Sequence, residues 1–240
     1  MNQVSWWQRF TWRHPEWWAL GLSLAAWLLF LAPYATGVRL SHHRDHANGV
    51  SSPWTGEIFW WMAMVIAMML PLIVDRIRIA AARSIWARRD RAVLLFTLGY
   101  LATWILAGLI VQAGILGLHL QPWFRPAVAG AGAFGLAALW QLTAAKQRVL
   151  RSCHRTIPLA PHGWRANLDC LRYGWMIGAT CVLSCGALMV ACTLSGHSVA
   201  VMAGAGSIGA AERYMIRPNP RILSAAIAAL GLVCGLALSR

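Results

Sequence analysis

Long apolar runs, separated by short polar and basic segments, dominate the pattern of the chain. A helix needs about 20 residues to cross the hydrocarbon core of a bilayer, and five or six of the runs reach that length. The Gly-rich run 198–211 is shorter, which fits a short span, half of a re-entrant hairpin or a buried helix. The pattern predicts an all-α, polytopic bundle of six or seven membrane helices, formed by 17–34, 57–74, 92–118, 126–145, 172–195, 198–211 and 222–239.

Composition supports the same fold class. Hydrophobic residues make up 59% of the 240-residue chain and charged residues only 12%, whereas a soluble domain is about a quarter charged. Lipid must cover the surplus apolar surface, so we expect the bilayer as a partner. Because no segment between the runs is long enough to fold alone, residues 1–240 are predicted to form one integral membrane domain.

The basic residues predict the orientation. Net charge is +14, but the Lys and Arg residues lie between apolar runs, so they indicate membrane topology and not nucleic-acid binding. With seven crossings and a cytoplasmic N-terminus, 17 of the 21 Lys and Arg residues face the cytoplasm. If 198–211 does not cross, the cytoplasmic count falls to 15. The positive-inside rule therefore favours the seven-crossing topology, with 75–91 and 146–171 inside and 35–56 outside.

Sulfur side chains give the run 172–195 its candidate chemistry. At 100° per residue, four of them share one face within an arc of less than about 90°: Cys181, Cys185, Met189 and Cys192. Gly174 and Gly178 lie on this face too, so a neighbouring helix can approach closely. Thiolates and thioethers select Cu(I) and similar soft metals. The alternative is that these cysteines are small buried residues on a packing face.

Methionines of the run 57–74 are further candidate ligands. Met68 and Met69 lie just before Pro71, which we expect to bend the helix and release a carbonyl. A thioether from either methionine would complete a soft-metal site built on the cysteine face. Core packing is the alternative, since methionine fills irregular apolar space well.

Histidines predict a second place for metal on the opposite side of the membrane. Residues 41–46 read SHHRDH, and His42, His43 and His46 lie in the predicted periplasmic loop. His197 follows the cysteine-rich run at the same face. Imidazole is the commonest metal-binding side chain, so these residues are candidates for periplasmic metal capture. A polar loop without metal is the alternative.

Polar residues mark the predicted cytoplasmic end. Cys153 lies among basic residues, whose charge favours a reactive or ligating thiolate. Gln141 within a span needs a hydrogen-bond partner. Glu212, which closes the short run, is expected to pair with Lys146 or a cytoplasmic arginine.

Three of these stretches resemble the bacterial predicted metal-binding integral membrane proteins, a family linked to copper delivery. They are WMAMVIAMMLP at 61–71, WQLTAAKQRVLRSC at 140–153 and GATCVLSCGALM at 178–189, with Glu212 at the family's later Glu-Lys position. The resemblance spans about residues 57–215. The positions that match the family's motifs are Met68, Met69, Gln141, Lys146, Cys153, Cys181, Cys185, Met189 and Glu212.

The chain also departs from that family at four positions. Val149 and Ser184 stand where the family has cysteines, Leu183 replaces a glycine, and Arg213 replaces the lysine. Two of the family's expected ligands are therefore absent. Three alternatives follow for this chain. It binds metal weakly, it uses a different set of ligands, or it has lost metal binding and kept the fold.

The resemblance implies a non-enzymatic protein of the bacterial inner membrane that binds copper and delivers it to a partner cuproprotein. No catalytic arrangement of residues accompanies the motifs, so an enzyme is the least supported function class. The alternative function is a structural subunit or assembly factor of a larger membrane complex, which small-residue faces and lost cysteines would also suit.

Overall fold

A computed structural model describes residues 14–36, 54–119, 126–152, 157–160, 162–215 and 218–238. Within these ranges all regular structure is helical, which confirms the all-α prediction. The α-helices are α1 (Trp17–Thr36), α2 (Trp54–Met69), α3 (Val74–Ala82), α4 (Arg89–His119), α5 (Pro126–Leu142), α6 (Ala144–Ser152), α7 (Gly163–Leu194), α8 (Val199–Tyr214) and α9 (Pro220–Leu238). Short 3-10 turns at Pro71–Ile73 and Trp86–Arg88 precede α3 and α4.

Each predicted apolar run contains a helix, but not every helix is long enough to span a bilayer alone. Three segments of the described chain are long and apolar enough: Trp17–Thr36, Trp86–Leu118 and Gly163–Leu194. Counting the bent pairs α2 with α3 and α5 with α6 as one span each raises the number to five. Helix α8 has only 16 residues. Six or seven crossings and the orientation of the N-terminus remain predictions.

Two bends shape the bundle, and each has a local chemical cause. The axis turns by 47° between Trp54–Met69 and Pro71–Ala82, where Pro71 lacks the N–H that would continue the helix. It turns by 75° between α5 and α6. There the Thr143 hydroxyl accepts a hydrogen bond from the Lys146 backbone N–H at 3.2 Å, as a helix N-cap does. Thr143 thus starts α6 in a new direction.

Helices α4 and α7 form the centre of the fold and pack with very close backbones. A Cβ atom added at Gly174 would lie 1.9 Å from the Phe96 carbonyl oxygen, and one at Gly178 would lie 1.8 Å from Thr103 Oγ1. No side chain fits between the helices at these points. The prediction that the small-residue face of α7 packs against another helix is confirmed.

Large apolar side chains cover the outer surface of the bundle. Leu24 is 61% exposed, Leu136 68% and Leu232 70%. Extensive exposed apolar surface of this kind is unfavourable in water and typical of contact with lipid or another protein.

One ion pair joins the chain before α1 to α3. Arg78 Nη2 donates to the buried carboxylate of Glu16 at 2.6 Å. Burial alone would raise the pKa of Glu16, but the hydrogen bond and charge of Arg78 outweigh it and hold that pKa below its usual value. The pair helps to hold the segment that contains α2 and α3 against α1.

Candidate metal site

The sulfur atoms of Cys181 and Met69 meet in the core, where α7 packs near the C-terminal end of α2. The Cys181 thiol donates to Met69 Sδ at 3.9 Å, and the Tyr100 hydroxyl donates to Cys181 Sγ at 3.3 Å. Cys181 is 2% exposed and Met69 is 1% exposed. The structure therefore brings together two of the predicted ligands from helices that are distant in sequence.

A second thiol completes the cluster. Cys185 lies one helical turn after Cys181, on the same face of α7, and is buried. A sulfur–metal bond is about 2.3 Å long in zinc sites, so two sulfurs on opposite sides of one ion lie up to about 4.6 Å apart. The 3.9 Å between Cys181 and Met69 fits within that limit. The Cys181 thiol and the Met69 thioether are therefore close enough to bind one soft cation, and Cys185 lies on the same face of α7 one turn away.

Ser184 lies beside the thiols, at the position where the resembling family has a cysteine. Its hydroxyl is 3.4 Å from Cys185 Sγ and also donates to the Cys181 carbonyl at 3.1 Å. The side chain is therefore within the cluster, although a hydroxyl is a poor ligand for a soft metal.

A partly open pocket gives access to both thiols. It lies between α7, α8, α6 and the bend after α2, and its wall combines thiols with a carboxylate, a guanidinium and apolar side chains. The lining residues are Leu72, Leu150, Cys181, Ser184, Cys185, Gly209, Glu212 and Arg213.

Buried polar groups on three helices support this pocket. Lys146 of α6 donates to the Gln141 side-chain oxygen, and its Nζ lies 2.8 Å from Glu212 Oε1. Lys146 is 4% exposed and Gln141 is fully buried. The expected partner for Gln141 and the expected pairing of Glu212 with Lys146 are both confirmed. A buried ion pair needs such additional hydrogen bonds to offset its loss of hydration.

Cys192, another predicted ligand of α7, lies apart from this cluster. Met189 and Cys192 are buried on the same side of the helix, but Cys192 lies about 10 Å further along the axis than Cys185. The role of Met189 as a ligand stays a prediction. Met68 lies near Gly206 of α8. The four sulfur side chains of α7 thus form a buried face, with one ligand cluster at Cys181 and Cys185.

His197 lies apart from the thiols as well. It is buried beyond the end of α7, has a left-handed backbone with φ of 56° and stacks on Phe30 with ring centroids 6.2 Å apart. Along the axis of α7, the end of the helix that precedes His197 lies about 13 Å from Cys185.

Four predicted residues lie outside the described part of the chain: Cys153, His42, His43 and His46. Their roles as ligands stay predictions. Among the residues that are described, no group of three or more His, Cys, Asp or Glu side chains is placed to hold a metal ion. A third ligand at Cys181 and Cys185 would therefore be of another kind, and the thioether of Met69 already contacts Cys181.

Tyr100 and Arg213 belong to the site although the sequence did not single them out as such. Tyr100 is buried in the middle of α4. Its hydroxyl, a polar group within an apolar run, is the feature of the sequence that could have indicated its role. Arg213 lines the pocket, whereas the sequence singled it out only as the residue that replaces the lysine of the resembling family.

Comparison with known proteins identifies a family. A family model described as PpoB2, copper chaperone, matches residues 58–238. No curated protein and no solved structure matches the chain. The matched range includes every described residue of the thiol cluster, its pocket and the supporting ion pair.

Proposed function

We propose that this chain, which belongs to the PpoB2 copper chaperone family, holds Cu(I) inside a membrane and transfers it to a partner cuproprotein. Copper is the cargo in this proposal, and no chemical conversion of a substrate is involved. The membrane is a bacterial inner membrane, crossed six or seven times with the N-terminus in the cytoplasm. The three to five helices that are long and apolar enough to span support a membrane location, and the distribution of Lys and Arg supports the orientation.

The observation that supports the proposal best is the meeting of Cys181 with Met69 beside Cys185. Soft sulfur ligands prefer Cu(I), and these three come from two helices that are distant in sequence. A protein that only needed small residues for packing would not require a thioether 3.9 Å from a thiol.

A small number of ligands and a pocket beside them suit metal transfer. Cu(I) is held by two or three soft ligands, so an incoming thiolate or thioether can bind before the last ligand leaves. The partly open pocket that Cys181 and Cys185 line provides the route for such an exchange. Partner ligands would approach through the gap beside α6 and α8.

Copper titration of the detergent-purified chain under reducing conditions tests this function. We expect about one Cu(I) for each chain, by the ligand count, measured by competition with a coloured Cu(I) chelator. Cys181→Ser combined with Cys185→Ser should abolish binding. Cys170→Ser is the matched control, because Cys170 is a buried thiol of the same helix outside the cluster, and it should bind like the parent.

Two results would contradict the proposal. The first is that the parent chain takes up no copper from the chelator. The second is that the double serine variant binds as tightly as the Cys170→Ser control while remaining folded. Either result would favour the alternative of a structural subunit or assembly factor in a larger membrane complex.

A further inference from the structure

Three charged side chains lie at the pocket that both thiols line. Glu212 and Arg213 line that pocket together with Cys181 and Cys185. Lys146 forms the buried ion pair with Glu212, with Nζ and Oε1 2.8 Å apart. The thiols therefore share a pocket with one carboxylate and one cation in its wall, and a second cation is paired to that carboxylate.

The charges of these groups determine which cation leaves the pocket neutral. The two cations and one carboxylate have a net charge of plus one. When both thiols bind a metal they release two protons to solvent and add two negative charges. A monovalent cation then gives a neutral pocket, whereas a divalent cation leaves one uncompensated positive charge.

We propose that Lys146, Glu212 and Arg213 select a monovalent soft cation over a divalent one at the thiols of Cys181 and Cys185. This inference rests on the proposed function, since it concerns the same ligands. An uncompensated charge is costly where water is largely excluded, and Lys146 and Glu212 are 4% and 8% exposed. Sulfur ligands alone exclude hard ions but also bind soft divalent ions. The charges of the three side chains supply the discrimination between monovalent and divalent soft ions.

Competition between Ag⁺ and Cd²⁺ on the full-length, detergent-purified chain measures this selectivity as a ratio of dissociation constants. Arg213→Gln removes one cation and leaves the Lys146–Glu212 ion pair intact. We expect it to lower the preference for Ag⁺ by about tenfold or more. Glu212→Gln adds one positive charge to the balance, so it should raise the preference.

Three control variants separate the effect of charge from that of structure. Lys146→Met combined with Glu212→Gln removes the ion pair but keeps the net charge, so the ratio should stay within about threefold of the parent value. Arg148→Gln removes an exposed cation of the same helix and should leave the ratio unchanged. Arg213→Lys retains the charge and should restore the preference that Arg213→Gln loses.

The inference is overturned if Arg213→Gln and Glu212→Gln move the ratio in the same direction, or if neither moves it. Should the parent then still bind Ag⁺ through Cys181 and Cys185, the proposed function stands without this selectivity. If the parent binds neither Ag⁺ nor Cu(I), both the proposed function and the inference fail.

Discussion

Ser184 is the residue at which the chain differs most clearly from a fully thiol-rich site. Its hydroxyl lies 3.4 Å from Cys185 Sγ and lines the pocket. The Ser184 side chain already lies beside the cluster. The chain therefore differs from a thiol-rich site there in one atom, an oxygen in place of a sulfur, and not in the placement of the side chain.

Replacing Ser184 by cysteine is predicted to tighten Cu(I) binding by about tenfold or more, because a soft thiolate replaces a hard hydroxyl beside the existing ligands. Chelator competition measures the change. Ser184→Ala is the matched variant and should bind copper as the parent does, since the hydroxyl is not expected to be a ligand. Equal affinity of Ser184→Cys and Ser184→Ala would show that copper is bound elsewhere.

At the scale of single residues, helical periodicity predicts part of the site. Cys181 and Cys185 are four residues apart, so they had to share a face. The choice between Met68 and Met69 was not predictable, because it depends on how α2 rotates against its neighbours. Tyr100 lies on α4, which packs against α7 through glycines on both helices. The sequence does not show which turns of the two helices face each other.

At the scale of helices, the two bends place the site. The bend at Pro71 follows from the missing N–H of proline and was predicted from the sequence. The bend after Leu142 was not, because it depends on one Thr143 side chain capping α6 within a run that is otherwise compatible with a continuous helix. That bend turns Lys146 inward, where it meets Gln141 and Glu212.

Close contact between α4 and α7 holds Tyr100 against Cys181, and Gly174 tests it. Gly174→Ala is predicted to destabilise the protein by about 1–3 kcal/mol, because the new methyl group meets the Phe96 carbonyl oxygen and the backbones must separate. Thermal or denaturant unfolding in detergent measures the loss.

Gly135→Ala is the control for that change. A Cβ at Gly135 meets nothing within 4 Å, and alanine favours a helix over glycine by about 1 kcal/mol. We therefore expect Gly135→Ala to be neutral or stabilising. Equal stability of the two variants would contradict the close packing of α4 and α7.

At the scale of the whole molecule, apolar runs predict helices reliably but predict spans less well. Seven runs give helices, yet α8 is short and two runs are broken by bends. The length of an apolar run shows how many apolar residues are continuous in sequence. A membrane span also requires that these residues form a helix long and straight enough to cross the bilayer. The orientation follows from the distribution of Lys and Arg and depends on how many of the runs cross.

The predicted topology places Ile85 in the cytoplasm and Trp54 near the periplasmic face. Both side chains are 47% exposed, so a cysteine at either position is open to reagents. In a Cys153→Ser background, a membrane-impermeant maleimide applied to intact cells should label Trp54→Cys and not Ile85→Cys. Permeabilised cells should allow labelling of both. Labelling of Ile85→Cys in intact cells would overturn the orientation.

X-ray absorption at the copper edge tests the central claim most directly, because it identifies the atoms bound to the metal in the Cu(I)-loaded chain. We predict a shell of about two to three sulfur atoms at about 2.2–2.3 Å, without nitrogen. Met69→Leu should reduce the sulfur count by about one, by the same ligand assignment. A shell dominated by nitrogen or oxygen, or a spectrum that Cys181→Ser with Cys185→Ser leaves unchanged, would contradict a copper site built on Cys181, Cys185 and Met69.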